Sequence, residues 1–205
     1  MTEYDTARFT LKTELRQRVA ALGKQALFPS TEESALVNQI VKQLEDINPI
    51  PRPLSAVHLP TLLGNWRLIY ASRGTVVTRT LGSLPNLASG INIKRVWQRL
   101  DASAGSTISA INGALLELPL LGEWQLQAEG TWTQDADEQV ATVRFGAFLL
   151  QATQPFGLSS WNLPELKIPV LEFLQNEALW TTSYLDQEIR IGRGVTGNLF
   201  VFERE

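Results

Sequence analysis

The stretch EWQLQAEGTWT, Glu123 to Thr133, alternates between apolar or small residues and polar residues along its whole length. The apolar positions are Trp124, Leu126, Ala128, Gly130 and Trp132. Successive side chains of a strand point to opposite faces of a sheet, so this period of two predicts a β-strand with one buried and one solvated face.

Similar short segments continue from residue 62 to the end of the chain, separated by Gly, Pro, Asn and Asp. They predict strands at 66–71, 75–80, 93–100, 107–112, 123–133, 140–150, 167–173, 179–185, 187–192 and 198–203. About eight to ten antiparallel strands in one domain favour a closed barrel, because closure removes the exposed edges of an open sheet. A barrel of about eight strands is wide enough to hold one small ligand.

Residues 1–48 show the apolar spacing of helices and predict an N-terminal helical hairpin whose first helix ends near Leu27. Ser30 and Glu33 match a capping box at the start of the second helix. The first helix carries its basic residues off the apolar face, at Arg8, Lys12, Arg16 and Arg18. They are candidates for contact with anionic lipid, and packing of this helix on the barrel is the alternative. Residues 49–61 contain four prolines and predict a stiff, extended linker before a barrel domain at 62–205.

The composition excludes several classes of function. The 205 residues include 18 Lys and Arg against 21 Asp and Glu, and this net charge of −3 argues against a general nucleic-acid binder. The chain has no cysteine, which excludes a thiol nucleophile and cysteine-ligated metals. The single histidine, His58, lies in the proline-rich linker and cannot form a multi-histidine metal site. We therefore predict no catalytic residue, metal or cofactor.

The sequence has no apolar run of the roughly 18 residues that a membrane-spanning helix needs. Its N-terminal segment mixes acidic and basic residues and lacks the apolar core of a signal peptide, and its acidic residues are atypical of a transit peptide. We therefore expect a protein that is cytoplasmic or peripheral to a membrane.

Two segments resemble a known family. LLGNWRLIYASR, residues 62–73, and ALWTTSYLDQEIRIGRGVTGNLFVFERE, residues 178–205, are similar to the opening and closing signatures of the plastid lipid-associated proteins, also called plastoglobule fibrillins. The resemblance implies a mainly β fold, a lipocalin-like antiparallel β-barrel, in a protein of photosynthetic cells associated with thylakoids or lipid droplets. Because the N-terminal segment does not look like a transit peptide, the chain is more similar to a cyanobacterial-type member or a mature form.

The family motifs match specific positions. Gly64 and Trp66 match the G-x-W of the first strand, and Asp186, Arg190, Arg193 and Gly194 match the closing signature. In the lipocalin comparison, an arginine from a late strand covers the first-strand tryptophan and closes one end of the barrel. The resemblance therefore implies that Arg190 or Arg193 covers Trp66, and we expect this contact to be structural. Asp186 is expected to form a structural ion pair near these arginines or to anchor a polar part of a ligand.

The segment GRGVTG, residues 192–197, has the G-x-G-x-x-G spacing of a dinucleotide-binding loop. Such a loop must be followed by a helix, but NLFVFERE reads as another strand. We therefore interpret the segment as a hairpin turn.

Aromatic residues on the predicted strands are the candidate ligand contacts. The candidates are Trp97, Trp132, Phe145, Phe148, Trp180, Tyr184 and Phe200. Each one alone is as well explained by core packing, but a barrel lined by flat apolar rings suits an elongated apolar ligand. If Arg95, Trp97 and Arg99 share a face, that face is either the solvated exterior or an interior that binds an anionic head group.

Two long segments with few charges, residues 81–93 and 155–174, are unusual for a plain surface. They pack on the barrel, cover its mouth or contact a membrane interface. The leading hypothesis is a non-enzymatic protein that binds or organises a prenylquinone, a carotenoid or an acyl lipid. The alternative is an interaction module with a side-chain-filled barrel that recruits enzymes of isoprenoid-quinone or carotenoid synthesis.

Overall fold

The computed structural model describes residues 2–27, 29–73, 91–103, 105, 107–155, 166–169 and 177–205. Helix α1 spans Glu3–Leu22 and continues as a 3-10 turn over Gly23–Leu27, α2 spans Thr31–Asp46, and the short α3 spans Leu59–Leu62. The capping box predicted at Ser30 and Glu33 is formed, and Thr2 and Asp5 form a second one at the start of α1. The helical hairpin predicted from the apolar spacing is therefore present.

The sheet has nine strands within the described residues. They are β1 (Gly64–Ala71), β2 (Asn92–Ala102), β3 (Thr107–Leu118), β4 (Gly122–Gln134), β5 (Val140–Pro155), β6 (Leu166–Pro169), β7 (Ala178–Leu185), β8 (Ile189–Gly194) and β9 (Leu199–Arg204). The strand order is β4-β3-β2-β1-β9-β8-β7-β5-β6, every pairing is antiparallel, and a β4–β5 pairing closes all but β6 into a ring. This confirms the predicted mainly β, lipocalin-like barrel with N-terminal helices.

The predicted strands agree with the observed ones within a few residues, except where the strands are longer. Strands β3 and β5 run to Leu118 and Pro155, beyond the predicted ends. The strand predicted at 75–80, the end of the one predicted at 167–173, and most of the apolar segments 81–93 and 155–174 lie outside the described residues.

A bulge in β1 decides which side chains enter the ring. The register of β1 against β9 shifts between Leu68 and Tyr70. Leu68 and Ala71 therefore belong to the cluster inside the ring, whereas Tyr70 points outward to the helices. An extra residue in one strand reverses the alternation beyond it, so that β1 contributes to both cores.

The inner core fills one end of the ring, which we call the base. At this end β1, β5 and β8 begin and β2, β4 and β9 end. The buried residues of this cluster include Leu62, Trp66, Leu100, Ile108, Trp132, Ala141, Leu185 and Phe202. We call the opposite end, where β1 ends and β2 and β7 begin, the mouth.

The outer core joins the helical hairpin to the wall of the ring. Leu15 and Val19 of α1 and Val37, Val41 and Leu44 of α2 pack against outward-facing residues of β1, β7, β8 and β9. The strand residues in this cluster are Tyr70, Tyr184, Ile189, Ile191, Leu199 and Val201. The hairpin therefore flanks the barrel rather than capping an end.

Polar contacts also hold the hairpin, and they change the interpretation of α1. Lys12 is 8% exposed, its Nζ lies 2.9 Å from Asp186 Oδ2, and Arg16 pairs with Glu188 and Glu203 at 2.7 and 2.8 Å. Of the two alternatives for this helix, Lys12 and Arg16 therefore follow the second, packing on the barrel. Their charges are matched by strand carboxylates rather than left for anionic lipid.

The proline-rich linker is not an extended spacer. Its residues 59–62 form α3, and Leu54 is 2% exposed within the inner core. The Leu54 N–H donates to the Glu138 carbonyl at 3.0 Å, which ties the linker to the turn before β5. The leucines of the linker cover the apolar side chains at the base. Burial of this apolar surface stabilises the closed end of the ring.

No helix in the described ranges has the length and apolarity to cross a lipid bilayer.

Asp186, in the turn between β7 and β8, is the polar centre of this attachment. Its Oδ2 accepts from Lys12 Nζ and from the Tyr184 hydroxyl at 2.7 Å, and its Oδ1 accepts from the Glu188 and Ile189 N–H groups at 2.8 Å. Burial opposes ionisation, but the bonds from Lys12, Ile189 and Tyr184 outweigh it and lower the pKa of Asp186.

We expect Asp186→Asn to lower the free energy of unfolding by about 1–3 kcal/mol at neutral pH, because an amide cannot satisfy the same donors. A carboxyl whose pKa is lowered by folding stabilises the fold above its unfolded pKa of about 4 and loses this contribution as the pH falls further. Urea titrations at neutral and acidic pH should therefore show the difference between wild type and variant shrinking below about pH 4. A difference that stays constant across this range would contradict the assignment.

Candidate functional site

Trp66 is the centre of the base. Its side chain has no exposed surface, and its Nε1 donates to the Leu62 carbonyl at 2.8 Å. Two guanidiniums lie over its ring, with Arg204 Cζ 4.1 Å and Arg190 Cζ 5.1 Å from the ring centroid. Stacking of a guanidinium on an indole is worth about 0.5–2 kcal/mol, the larger value where water is excluded.

The glycine of the G-x-W motif makes room for one of these arginines. Gly64 has a φ of +118°, and a Cβ there would lie 2.9 Å from Arg204 Nη1. Arg204 also donates to the carbonyls of Thr61, Leu63 and Gln187. Any side chain at position 64 would therefore strain the backbone and displace the group that covers Trp66.

Arg190 lies inside the ring and has no exposed surface. Its Cζ is 4.3 Å from the ring centroid of Phe202 and 5.8 Å from that of Trp132, so that three aromatic rings surround the guanidinium. Desolvation, with a smaller effect of the nearby Arg204 charge, lowers the pKa of Arg190 to about 9.

The hydrogen bonds of Arg190 are incomplete. Its Nη2 donates to Gln98 Oε1, and Gln98 Nε2 donates to Asn112 Oδ1 at 2.6 Å. Arg190 Nε and Nη1 and the nearby Trp132 Nε1 are buried and find no acceptor among the described residues. Buried donors without acceptors cost about 1–3 kcal/mol each, so this cluster is chemically unusual for a packed interior.

An aromatic wall extends from this cluster toward the mouth. The Trp180 ring centroid lies 5.8 Å from Trp132, 6.1 Å from Phe202 and 5.3 Å from Phe200. Phe145 and Phe148, on β5, have ring centroids 6.3 Å apart. Trp180, Phe200, Phe145 and Phe148 are all half-buried, in contrast to the fully covered rings of the base.

The facing strands β3 and β4 line the interior with small residues. Ala114 and Asn112 of β3 pair with Leu126 and Ala128 of β4, and Ala110 pairs with Gly130, on the same face as the buried Trp132. This is the apolar face predicted from the alternation in β4. Small side chains therefore face the half-buried aromatic rings across the interior.

Five of the seven aromatic ligand candidates belong to this interior, namely Trp132, Phe145, Phe148, Trp180 and Phe200. The structure places the other two on the outside. Trp97 pairs across strands with Gly113 and lies beneath the Arg95 guanidinium, whereas Tyr184 packs under the helices. Trp97 shares the outer face with Arg95, which pairs with Glu205, and with Arg99, which pairs with Asp101.

The remaining motif residues are also placed outside the ring. Arg193 does not cover Trp66 but forms a two-pronged pair with Glu45 of α2, at 2.8 and 2.9 Å. Gly194 and Gly197 form the turn between β8 and β9, as interpreted from the glycine spacing, and Gly197 has a φ of +73°. Asp186 pairs with Lys12 and not with the arginines of its own signature.

Sequence reasoning missed three residues of the base and its polar cluster, Arg204, Gln98 and Asn112. The position of Arg204 could have been inferred, because it continues the period of two set by Phe200 and Phe202 and therefore shares their face of the strand. In the structure it lies opposite Trp66 in the β1–β9 register. Gln98 and Asn112 had none, because a polar residue on a strand is read as solvent-facing unless a long-range partner is known.

A cleft of about 630 Å³ lies between the end of α1 and the parts of β1 and β2 beyond their last pair, Arg67 and Trp97, and its lining includes Leu68 and Val96 of the inner core. Several cations line it, but Arg67 pairs with Glu203, Lys94 with Glu123 and Arg95 with Glu205. Because these charges are already matched, we place the candidate site in the ring, where donors lack acceptors.

A closed antiparallel ring with an arginine–tryptophan base and an aromatic interior defines a lipocalin-like barrel. The model of the PAP_fibrillin family matches residues 10–203, and the chain belongs to this family.

Named relatives support the same assignment. The chain is 26% identical to a probable plastid-lipid-associated protein 3 of Oryza sativa subsp. japonica, over 86% of the chain and 54% of that protein. It is 31% identical to plastid lipid-associated protein 3 of Brassica campestris, over 85% of the chain and 55% of that protein. It is 28% identical to plastoglobulin-1 of Pisum sativum, with the same coverage of both chains. No solved structure matches the chain with comparable significance.

The chain spans about half the length of these relatives. Each of the three is named as chloroplastic, and the names describe association with plastid lipids or plastoglobules rather than a reaction.

We expect Trp66→Ala to lower the free energy of unfolding by about 3–5 kcal/mol, because it removes a fully buried ring on which one buried and one half-buried guanidinium pack. Trp97→Ala is the matched control, since this half-buried tryptophan lies on the outer wall, and it should cost much less. Thermal and urea denaturation of both variants provides the measurement. Equal losses would show that the base has no special part in stability.

Proposed function

We propose that this chain is a non-enzymatic lipid-binding or lipid-organising protein whose ligand enters the ring at the mouth. The ligand class is an elongated apolar molecule, such as a prenylquinone, a carotenoid or an acyl lipid. The observation that carries the proposal is the half-buried aromatic wall of Trp180, Phe200, Phe145 and Phe148 above a fully packed base.

The two ends of the ring differ in a way that suits this function. The base is filled by its own side chains and by the linker, so it supplies the stability of the fold. The upper interior leaves aromatic surface only partly covered, and a ligand that buried it would gain roughly 25 cal/mol per Å² of apolar area removed from water. Stability and binding are therefore assigned to different layers of the same barrel.

The family supports the setting of this function. Relatives named as plastid lipid-associated proteins and plastoglobulin favour a place at the surface of thylakoids or lipid droplets. Within the described ring, the polar side chains buried inside are Arg190, Gln98 and Thr182, a set that offers no nucleophile paired with a base. This supports binding rather than catalysis.

Two glycines provide a matched test of the interior. Trp180 lies against Gly192, where an added Cβ would come within 2.0 Å of the ring, and Trp97 lies against Gly113 on the outer wall, where a Cβ would come within 2.2 Å. Either substitution to alanine displaces the tryptophan side chain that packs over the glycine. Only Gly192→Ala, however, displaces a ring of the aromatic wall.

We expect Gly192→Ala to weaken the binding of elongated apolar probes about tenfold, while Gly113→Ala leaves it unchanged. Oleate, methyl oleate and a prenylquinone serve as probes, and quenching or shift of the intrinsic tryptophan fluorescence gives the affinity. Organic extraction of the purified wild-type protein should also release co-purifying lipid. If no probe binds and extraction yields none, the proposal fails and the alternative of a side-chain-filled interaction module gains support.

A further inference from the structure

The polar cluster at the bottom of the aromatic wall has a surplus of donors. Arg190 Nε, Arg190 Nη1 and Trp132 Nε1 are buried without acceptors among the described residues. The nearby interior acceptors are already used, since Gln98 Oε1 accepts from Arg190, Asn112 Oδ1 from Gln98, and Thr182 Oγ1 from Trp180. None of these three oxygens accepts from the unpaired donors, so the interior lacks an acceptor placed within their reach.

The cluster also has a surplus of charge. Arg190 forms no ion pair with any described carboxylate, and the nearest charge that acts on it is the positive one of Arg204. Other arginines that contact the hairpin or wall have acidic partners, as Arg16, Arg67 and Arg193 do, and the half-buried Arg204 is bound by three backbone carbonyls. A buried cation that lacks a counter-ion is costly, and surrounding aromatic rings compensate only part of that cost.

We propose that the ligand itself supplies the missing anion: the barrel selects an amphipathic carboxylate, of the long-chain fatty-acid class, whose head binds at Arg190. This assignment rests on the proposed function and narrows its ligand class from elongated apolar molecules in general to acidic ones. The carboxylate binds along one edge of the guanidinium, where it accepts from Arg190 Nε or from Arg190 Nη1, and the chain lies along Trp180 and Phe200 toward the mouth.

The arrangement of the rings gives the head a route to these donors. Trp180 is half-buried and contacts both Trp132 and Phe202, two of the rings that surround Arg190. It is therefore the ring between the mouth and the buried donors, and it must move aside when the head binds. The guanidinium stays charged at neutral pH, so no proton has to be taken up or released on binding.

The pair of oleate and methyl oleate tests the inference, because the two share one chain and differ in the charge of the head. Wild type should bind oleate at least tenfold more tightly than methyl oleate. Arg190→Met, which keeps the length of an apolar side chain, should abolish that preference while methyl oleate binding is retained. Arg190→Lys should retain part of the preference, because it keeps the charge but loses the two-pronged geometry.

Stability provides a second, independent readout. Removal of an uncompensated buried charge should leave the ligand-free Arg190→Met protein as stable as wild type or more stable, whereas oleate should raise the melting temperature of wild type only. Arg95→Met, on the outer wall, is the control and should keep the full preference for oleate. If Arg190→Met unfolds, the wild-type comparison of the two probes and the Arg190→Lys variant still decide the question.

The outcomes separate the two proposals. Equal binding of oleate and methyl oleate by wild type, or a preference that survives Arg190→Met, overturns the carboxylate assignment and leaves lipid binding in the barrel intact. Failure of both probes to bind overturns the proposed function as well, and Arg190 is then a structural part of the base.

Discussion

The burial of the Trp66 ring at the base, between Arg204 and the interior, is the interaction on which the barrel depends. It joins β1 to β8 and β9, the last two strands of the chain, and β1 also pairs directly with β9. Gly64 allows the close approach, and the leucines of the linker seal the same end. The base is thus built from residues that are far apart in sequence, and it holds together the strands that carry the half-buried aromatic rings.

Much of this fold is readable from the sequence, for a physical reason. In the strands, the alternation between buried and solvated faces is local, so EWQLQAEGTWT predicts both the strand and its inner face. The capping box at Ser30 and the glycine turn at 192–197 are local in the same way. These local signals predict a closed barrel, and the pairing of β4 with β5 closes the ring as expected. The family resemblance implies the same fold.

What could not be predicted depends on contacts between distant segments. A bulge at 182–184 turns Tyr184 outward, although its spacing from Trp180 predicts an inward position. The sequence does not distinguish Arg190 from Arg193 as the partner of Trp66, because it does not show that α2 lies beside β8 and places Glu45 next to Arg193. Gln98 looks like a surface residue until Arg190 is seen beside it. In each case the missing information is which element lies across from the residue.

Arginines of the cleft near α1 have carboxylate partners, whereas Arg190 in the interior has none in the part of the chain that the structure describes. This difference explains why the interior is the better candidate site. Arg16, Arg67 and Arg95, which line the cleft, have carboxylate partners, and such pairs at partly exposed positions contribute little net energy. The Arg190 guanidinium is fully desolvated and surrounded by three aromatic rings. Two of its nitrogens, Nε and Nη1, still have no acceptor among the described residues. A fold that required only stability would be served equally well by an apolar side chain there. The retained charge therefore argues for a partner that comes from outside the chain.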